Sequence, residues 1–95
     1  MISLDSHVRR NERTAWRIIE AEGVLVDSDK GNVIHLNETG AEIWNIMNEN
    51  SSVGDIVSHV CDTFNVDAET AEKDTLEFLQ DLINNGVAEC PETTL

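Results

Sequence analysis

Apolar positions along the chain follow two different periods, and the change falls near Leu36. Upstream they alternate. Thr14-Ala15-Trp16-Arg17-Ile18-Ile19-Glu20 sets Trp16 and Ile18 against Arg17 at period two, which predicts a half-buried strand. Ala21-Glu22-Gly23 then reads as a turn and Val24-Leu25-Val26-Asp27 as a second strand. Ser28-Asp29-Lys30-Gly31-Asn32 is a dense turn signal, and Asn32-Val33-Ile34-His35-Leu36 follows as a third strand. Connections this short imply an antiparallel meander.

Downstream the period becomes helical. Asn37 is placed to cap a helix from Glu38 to Met47, with Ile43, Trp44 and Met47 on one side. Ser52-Val53-Gly54-Asp55 has the form of a capping box. The helix it opens carries the clearest stripe in the chain: Val53, Ile56, Val57, Val60, Cys61 and Phe64. Asn65-Val66 interrupts it, and Asp67 can cap a third helix. Ala71, Thr75, Phe78, Leu79, Leu82 and Ile83 line the buried side of that helix, and Gly86 stands where a left-handed cap belongs. Val87 to Cys90 reads as a short extended piece. The expected organisation is a flexible polar arm over 1–13, one domain over 14–90 and a tail over 91–95. Hiding both apolar faces requires two layers. The expected fold is therefore α+β and winged-helix-like, a three-stranded antiparallel meander followed by three helices. The usual DNA-binding winged helix has its helices first.

Length and charge narrow the function. A chain of 95 residues is one domain, too small for a deep cleft between two. It carries 19 acidic and 6 basic side chains, a formal net charge of -13. The imbalance is local: residues 1–36 hold 5 basic and 6 acidic groups, whereas 37–95 hold 1 and 13. Sequence-independent affinity for nucleic acid comes from Lys and Arg on phosphate, so the acidic part repels phosphate and anionic lipid alike. Arg9, Arg10, Arg13 and Arg17 form the one basic cluster, balanced by Glu12, Glu20 and Glu22. No run of about 18 apolar residues could span a membrane. Met1 to Glu12 lacks the apolar block of a signal peptide, so a cytoplasmic location is expected.

Catalytic and metal chemistry find little support. His7, His35 and His59 have no ligand-like spacing, and Cys61 and Cys90 lie 29 residues apart without a CxxC. There is no GxSxG, no phosphate-cradling glycine loop and no HExxH. The expectation is a non-enzyme without cofactor or metal. What remains is an interaction surface. The third strand ends a meander, and an edge strand is a template for an added peptide strand.

The stretch Gly31 to Ala88 resembles the PqqD-like family. The resemblance rests on Leu36-Asn37-Glu38-Thr39-Gly40-Ala41, Ile43-Trp44, Ser51-Ser52-Val53, Asp55-Ile56-Val57 and Phe78-Leu79-Gln80-Asp81-Leu82 before Asn85-Gly86-Val87. With the preceding strands it covers residues 14–90. One departure is Glu49-Asn50, where the family usually has an acidic residue and glycine. The resemblance implies a RiPP recognition element, a peptide-modification chaperone. Such a domain binds the leader of a ribosomally made precursor peptide and presents it to a modifying enzyme, often a radical SAM protein. It further implies a leader lying as an added strand in the groove between the third strand and the third helix.

On that reading Val33, Ile34, His35 and Leu36 make the strand contacts. Lys73, Asp74, Glu77, Gln80 and Asp81 lie off the core stripe of the third helix and are available to the ligand; their charge favours a leader with Lys or Arg. One added strand is a small interface, for which about -8 to -9.5 kcal/mol is expected. The competing expectations are a winged-helix transcriptional regulator, a general protein–protein interaction module and a homodimer joined by edge strands. Against the regulator, the third helix would bring Glu69, Glu72, Asp74, Glu77 and Asp81 to DNA with Lys73 alone.

Overall fold

A computed structural model of the chain describes residues 2–48 and 50–91. The expected meander is present: β2 (Thr14–Ile19), β3 (Glu22–Asp27) and β4 (Val33–Leu36) pair antiparallel in the order β2-β3-β4. Three helices follow, α1 (Glu38–Ile46), α2 (Val53–Phe64) and α3 (Ala68–Asn84).

The first hairpin turns one step earlier than the glycine suggests. Glu20 and Ala21 take the turn with φ of 50° and 69°, so Ile19 pairs with Glu22 across a two-residue loop. Positive φ at both central residues gives the tight turn whose twist matches its strands. Gly23 lies inside β3 instead, for a packing reason: a Cβ there would sit 3.1 Å from Leu36 Cδ1 and 3.4 Å from Ile18 Cγ1. The helix ends follow expectation more closely. Asn37 Oδ1 accepts from Gly40 N at 2.8 Å and Ser52 Oγ from Asp55 N at 3.4 Å. Asp67 occupies the α3 cap position without a side-chain bond. Gly86, φ 78°, ends α3 in a left-handed cap, with Val87 N donating to Leu82 O at 3.1 Å.

The N-terminal residues depart from the expected flexible arm. β1 (His7–Arg10) is the centre of a second small sheet, β5-β1-β6, with β5 (Ser51–Ser52) and β6 (Ala88–Glu89). Val8 is fully buried and Ile2 is 9% exposed. Ser6 O and Leu4 O accept from Val53 N and Gly54 N, amides that the start of α2 leaves without helical partners. Arg10 reaches the other end of α1, donating from Nε and Nη2 to Trp44 O at 3.0 and 2.5 Å and from Nη2 to Asn45 O at 3.1 Å. A charged donor on terminal carbonyls is a C-cap, and α1 has no basic residue of its own in its last turn. Burial lowers the Arg10 pKa, and the group stays charged because guanidinium titrates far above neutrality. Its guanidinium lies 4.7 Å from the ring centre of Trp16 and 5.3 Å from that of Trp44. Between the layers the core gathers Trp44, Leu25, Ile43, Met47, Leu79 and Leu82, with Val8, Val53 and Val87 beside them. The expected tail beyond Pro91 lies outside the described residues.

Candidate functional site

β4 is an edge. Its one strand partner among the described residues is β3, in the register Gly23–Leu36, Val24–His35, Leu25–Ile34 and Val26–Val33. The phase of the ladder follows from one bond: Asp27 N donates to Asn32 O at 2.9 Å. Antiparallel pairs alternate between bonded and non-bonded, so Leu25–Ile34 and Gly23–Leu36 exchange bonds. The N–H and C=O groups of Val33 and His35 therefore point away from β3, along the open edge. The side chains divide as expected. Leu36 (3% exposed) and half-buried Ile34 face the helices, and Val33 (56% exposed) and His35 face out.

α3 and its C-terminal cap approach the chain near both ends of this strand, in two places. Near the start of β4, a Cβ at Gly86 would lie 3.9 Å from Asp27 Oδ2. Past its end, a Cβ at Gly40 would lie 3.0 Å from Phe78 Cε1. From Phe78 to its last residue, Asn84, α3 rises about 9 Å, against roughly 13 Å for a four-residue strand. Half-buried Ile34 and Phe78 supply apolar surface on the two elements. At the Gly40 end lies a pocket of ≈ 350 Å³ between the first turn of α1 and α3, whose lining includes Asn37, Gly40, Asp74, Glu77, Phe78 and Asp81.

The five α3 residues expected at the site thus separate. Asp74, Glu77 and Asp81, spaced three and four apart, share a face and line the pocket. Lys73 and Gln80 are not among the residues lining the pocket, although Lys73 stands four residues before Glu77. Gln80 is engaged on its own chain, Oε1 accepting from Ile2 N at 3.3 Å and Nε2 donating to Asn84 Oδ1 at 3.1 Å. Sequence reasoning missed Asn37 and Gly40 as pocket walls. Their place directly after the edge strand was the signal that could have found them.

Elsewhere, β2 forms a second open edge of the meander. Beside it Trp16 is 43% exposed and packs edge-on to Trp44, with ring centres 6.2 Å apart at 73°. His59 Nε2 lies 2.6 Å from Glu42 Oε2, joining α2 to α1. Cys90 is buried and Cys61 half-buried. Among the described residues no three His, Cys, Asp or Glu converge on a metal site, and no helix is long and apolar enough to cross a membrane.

Comparison with known proteins places this geometry. Among curated proteins none matches the chain. Three solved structures share the fold. TbiB1, in complex with the TbiA(beta) leader peptide, is 28% identical with a TM-score of 0.78, covering 85% of this chain and 94% of its own. The PqqD part of Methylobacterium extorquens PqqCD, a stand-alone RiPP recognition element, is 20% identical with a TM-score of 0.76, over 94% of this chain and 95% of its own. Lasso peptide synthetase B1, complexed with a leader peptide, is 23% identical with a TM-score of 0.70, over 86% of this chain and 96% of its own. The family model for coenzyme PQQ synthesis protein D matches residues 22–88, from the first residue of β3 to the first of β6. The chain belongs to the PqqD family.

Proposed function

We propose that this protein binds the leader segment of a ribosomally made precursor peptide as a strand added to β4, and presents the remainder to a modifying enzyme such as a radical SAM protein, without catalysing the modification itself. The observation that carries the reading is the open ladder at Val33 and His35, on a strand near both of whose ends α3 and its cap approach. Main-chain bonds to such an edge give affinity, and the adjoining groove selects alternate side chains. Val33 and His35 act through their backbone, Ile34 and Leu36 form the floor, and Asp74, Glu77 and Asp81 line the far end. Gln80, held by Ile2, and Lys73, which does not line the pocket, are left out. Support comes also from TbiB1, which carries a leader on the same fold. A homodimer, where it forms, is favoured along β2, the longer open edge at six residues against four.

Titration calorimetry with synthetic leader peptides from candidate precursor reading frames tests the reading. The expected result is one peptide per chain at a micromolar or lower Kd. No heat at millimolar peptide overturns it.

A further inference from the structure

The acidic pocket at the end of β4 contains a buried group with nothing to bind. Thr75 is 1% exposed, lines the pocket, and its Oγ1 has no hydrogen-bond partner among the described residues. Buried hydroxyls are satisfied in the great majority of structures. Of the other short polar groups there, Asn37 and Thr39, Asn37 is committed, since its Oδ1 already accepts from Gly40 N at 2.8 Å. Three carboxylates, Asp74, Glu77 and Asp81, line the same pocket, and no Lys or Arg does. The N-terminus of α1 offsets only part of their charge, because a helix end carries about half a positive charge. Phe78 closes one wall against Gly40, where a Cβ would meet the ring at 3.0–3.2 Å. An apolar wall, acidic rim and unused hydroxyl suit a long side chain with a cationic tip. The ≈ 350 Å³ volume is at the small end of ligand clefts, about 300–1,000 Å³.

We propose that this pocket is a specificity subsite taking the ammonium or guanidinium group of one Lys or Arg side chain of the bound peptide strand. The proposal rests on the peptide-binding reading above and adds a fixed register. The pocket begins directly beyond Leu36, at Asn37, so the cationic residue lies two to four positions along the guest strand from the one opposite His35, at about 3.3 Å per residue. The stem lies against Phe78, Asp74, Glu77 and Asp81 surround the charge, and Thr75 Oγ1 accepts a hydrogen bond from it.

The test uses a phage-displayed library of random 12-residue peptides, selected on the full chain and on the Asp74→Asn/Glu77→Gln/Asp81→Asn variant. Wild type is expected to enrich Lys or Arg at one position of a shared strand-forming segment. Replacing that residue by norleucine in a synthetic peptide should weaken binding about 10-fold or more. In the triple variant the same replacement should cost less than 2-fold. Thr75→Val should weaken the cationic peptide about 3- to 10-fold and leave the norleucine peptide unchanged. Peptides enriched without a fixed basic position overturn the subsite and leave strand addition standing, as does a 10-fold loss that persists in the triple variant. If wild type enriches no peptide, both the subsite and the peptide-binding reading fall.

Discussion

Proline at Val33 or His35 is expected to abolish leader binding and leave the protein folded, whereas proline at Ile34 or Leu36 unfolds it. The difference comes from the phase of the β3–β4 ladder, set by the bond from Asp27 N to Asn32 O. The amides of Val33 and His35 point to the open edge, so losing one removes a donor only from the guest strand. An unmet carbonyl partner costs about 1–3 kcal/mol, which is about 5- to 150-fold in Kd. The ring also stands where the guest backbone must come. Proline is tolerated at edge positions whose N–H faces outward, so melting temperatures of these two variants stay close to wild type. At Ile34 and Leu36 the lost amide belongs to the internal ladder, and Leu36 is 3% exposed as well. Calorimetry and circular dichroism on the four variants check the pattern. Val33→Pro and His35→Pro variants that stay folded and still bind the leader as wild type does rule out strand addition at β4.

The second large effect concerns the N-terminus. Val8→Asp should lower the melting temperature by about 12–40 °C. Val8 is fully buried between the short strands β5 and β6. Its replacement removes about 1.5–3 kcal/mol of apolar burial and leaves a carboxylate to be buried or extruded, for about 3–5 kcal/mol in total. In a domain of this size 1 kcal/mol moves the midpoint by about 4–8 °C. The milder Val8→Ala should give a smaller, measurable fall and keep the fold. Thermal melts settle the matter, because a valine in a loose polar arm would change stability by less than about 0.5 kcal/mol on either substitution.

These two cases also show where the sequence was informative. The meander and three helices were legible because each repeats its period over several residues and carries a recognisable start or stop: Asn37, Ser52, Gly86. The open edge followed from strand order alone. β1 gave no such signal. His-Val-Arg-Arg holds one apolar residue, and its partners β5 and β6 are two residues long and lie more than 40 and 75 positions away. Pairing of that kind leaves no local pattern. Arg10 was read as part of a solvated basic cluster because its role as a cap depends on where α1 ends in space. Gly23 misled in another way: glycine marks turns, but here it makes room for Leu36 across the sheet. At the site, spacing put five polar residues off the core stripe of α3, and only the packing of α1 and the bond from Ile2 N to Gln80 separated the three acids from Lys73 and Gln80.

The Trp16–Trp44 contact has a spectroscopic consequence. The chain has two tryptophans and no tyrosine, so its near-ultraviolet emission comes almost wholly from these indoles. At 6.2 Å between ring centres they exchange excitation and behave as one chromophore, seated beside β2 under the Arg10 guanidinium. β2 and β4 are two strand spacings apart, about 9.6 Å, with β3 between them. A guest along β4 leaves the emission colour unaltered, while a second copy along β2 dries Trp16 and shifts it to the blue. The molecule thus carries its own optical label for telling its two edges apart.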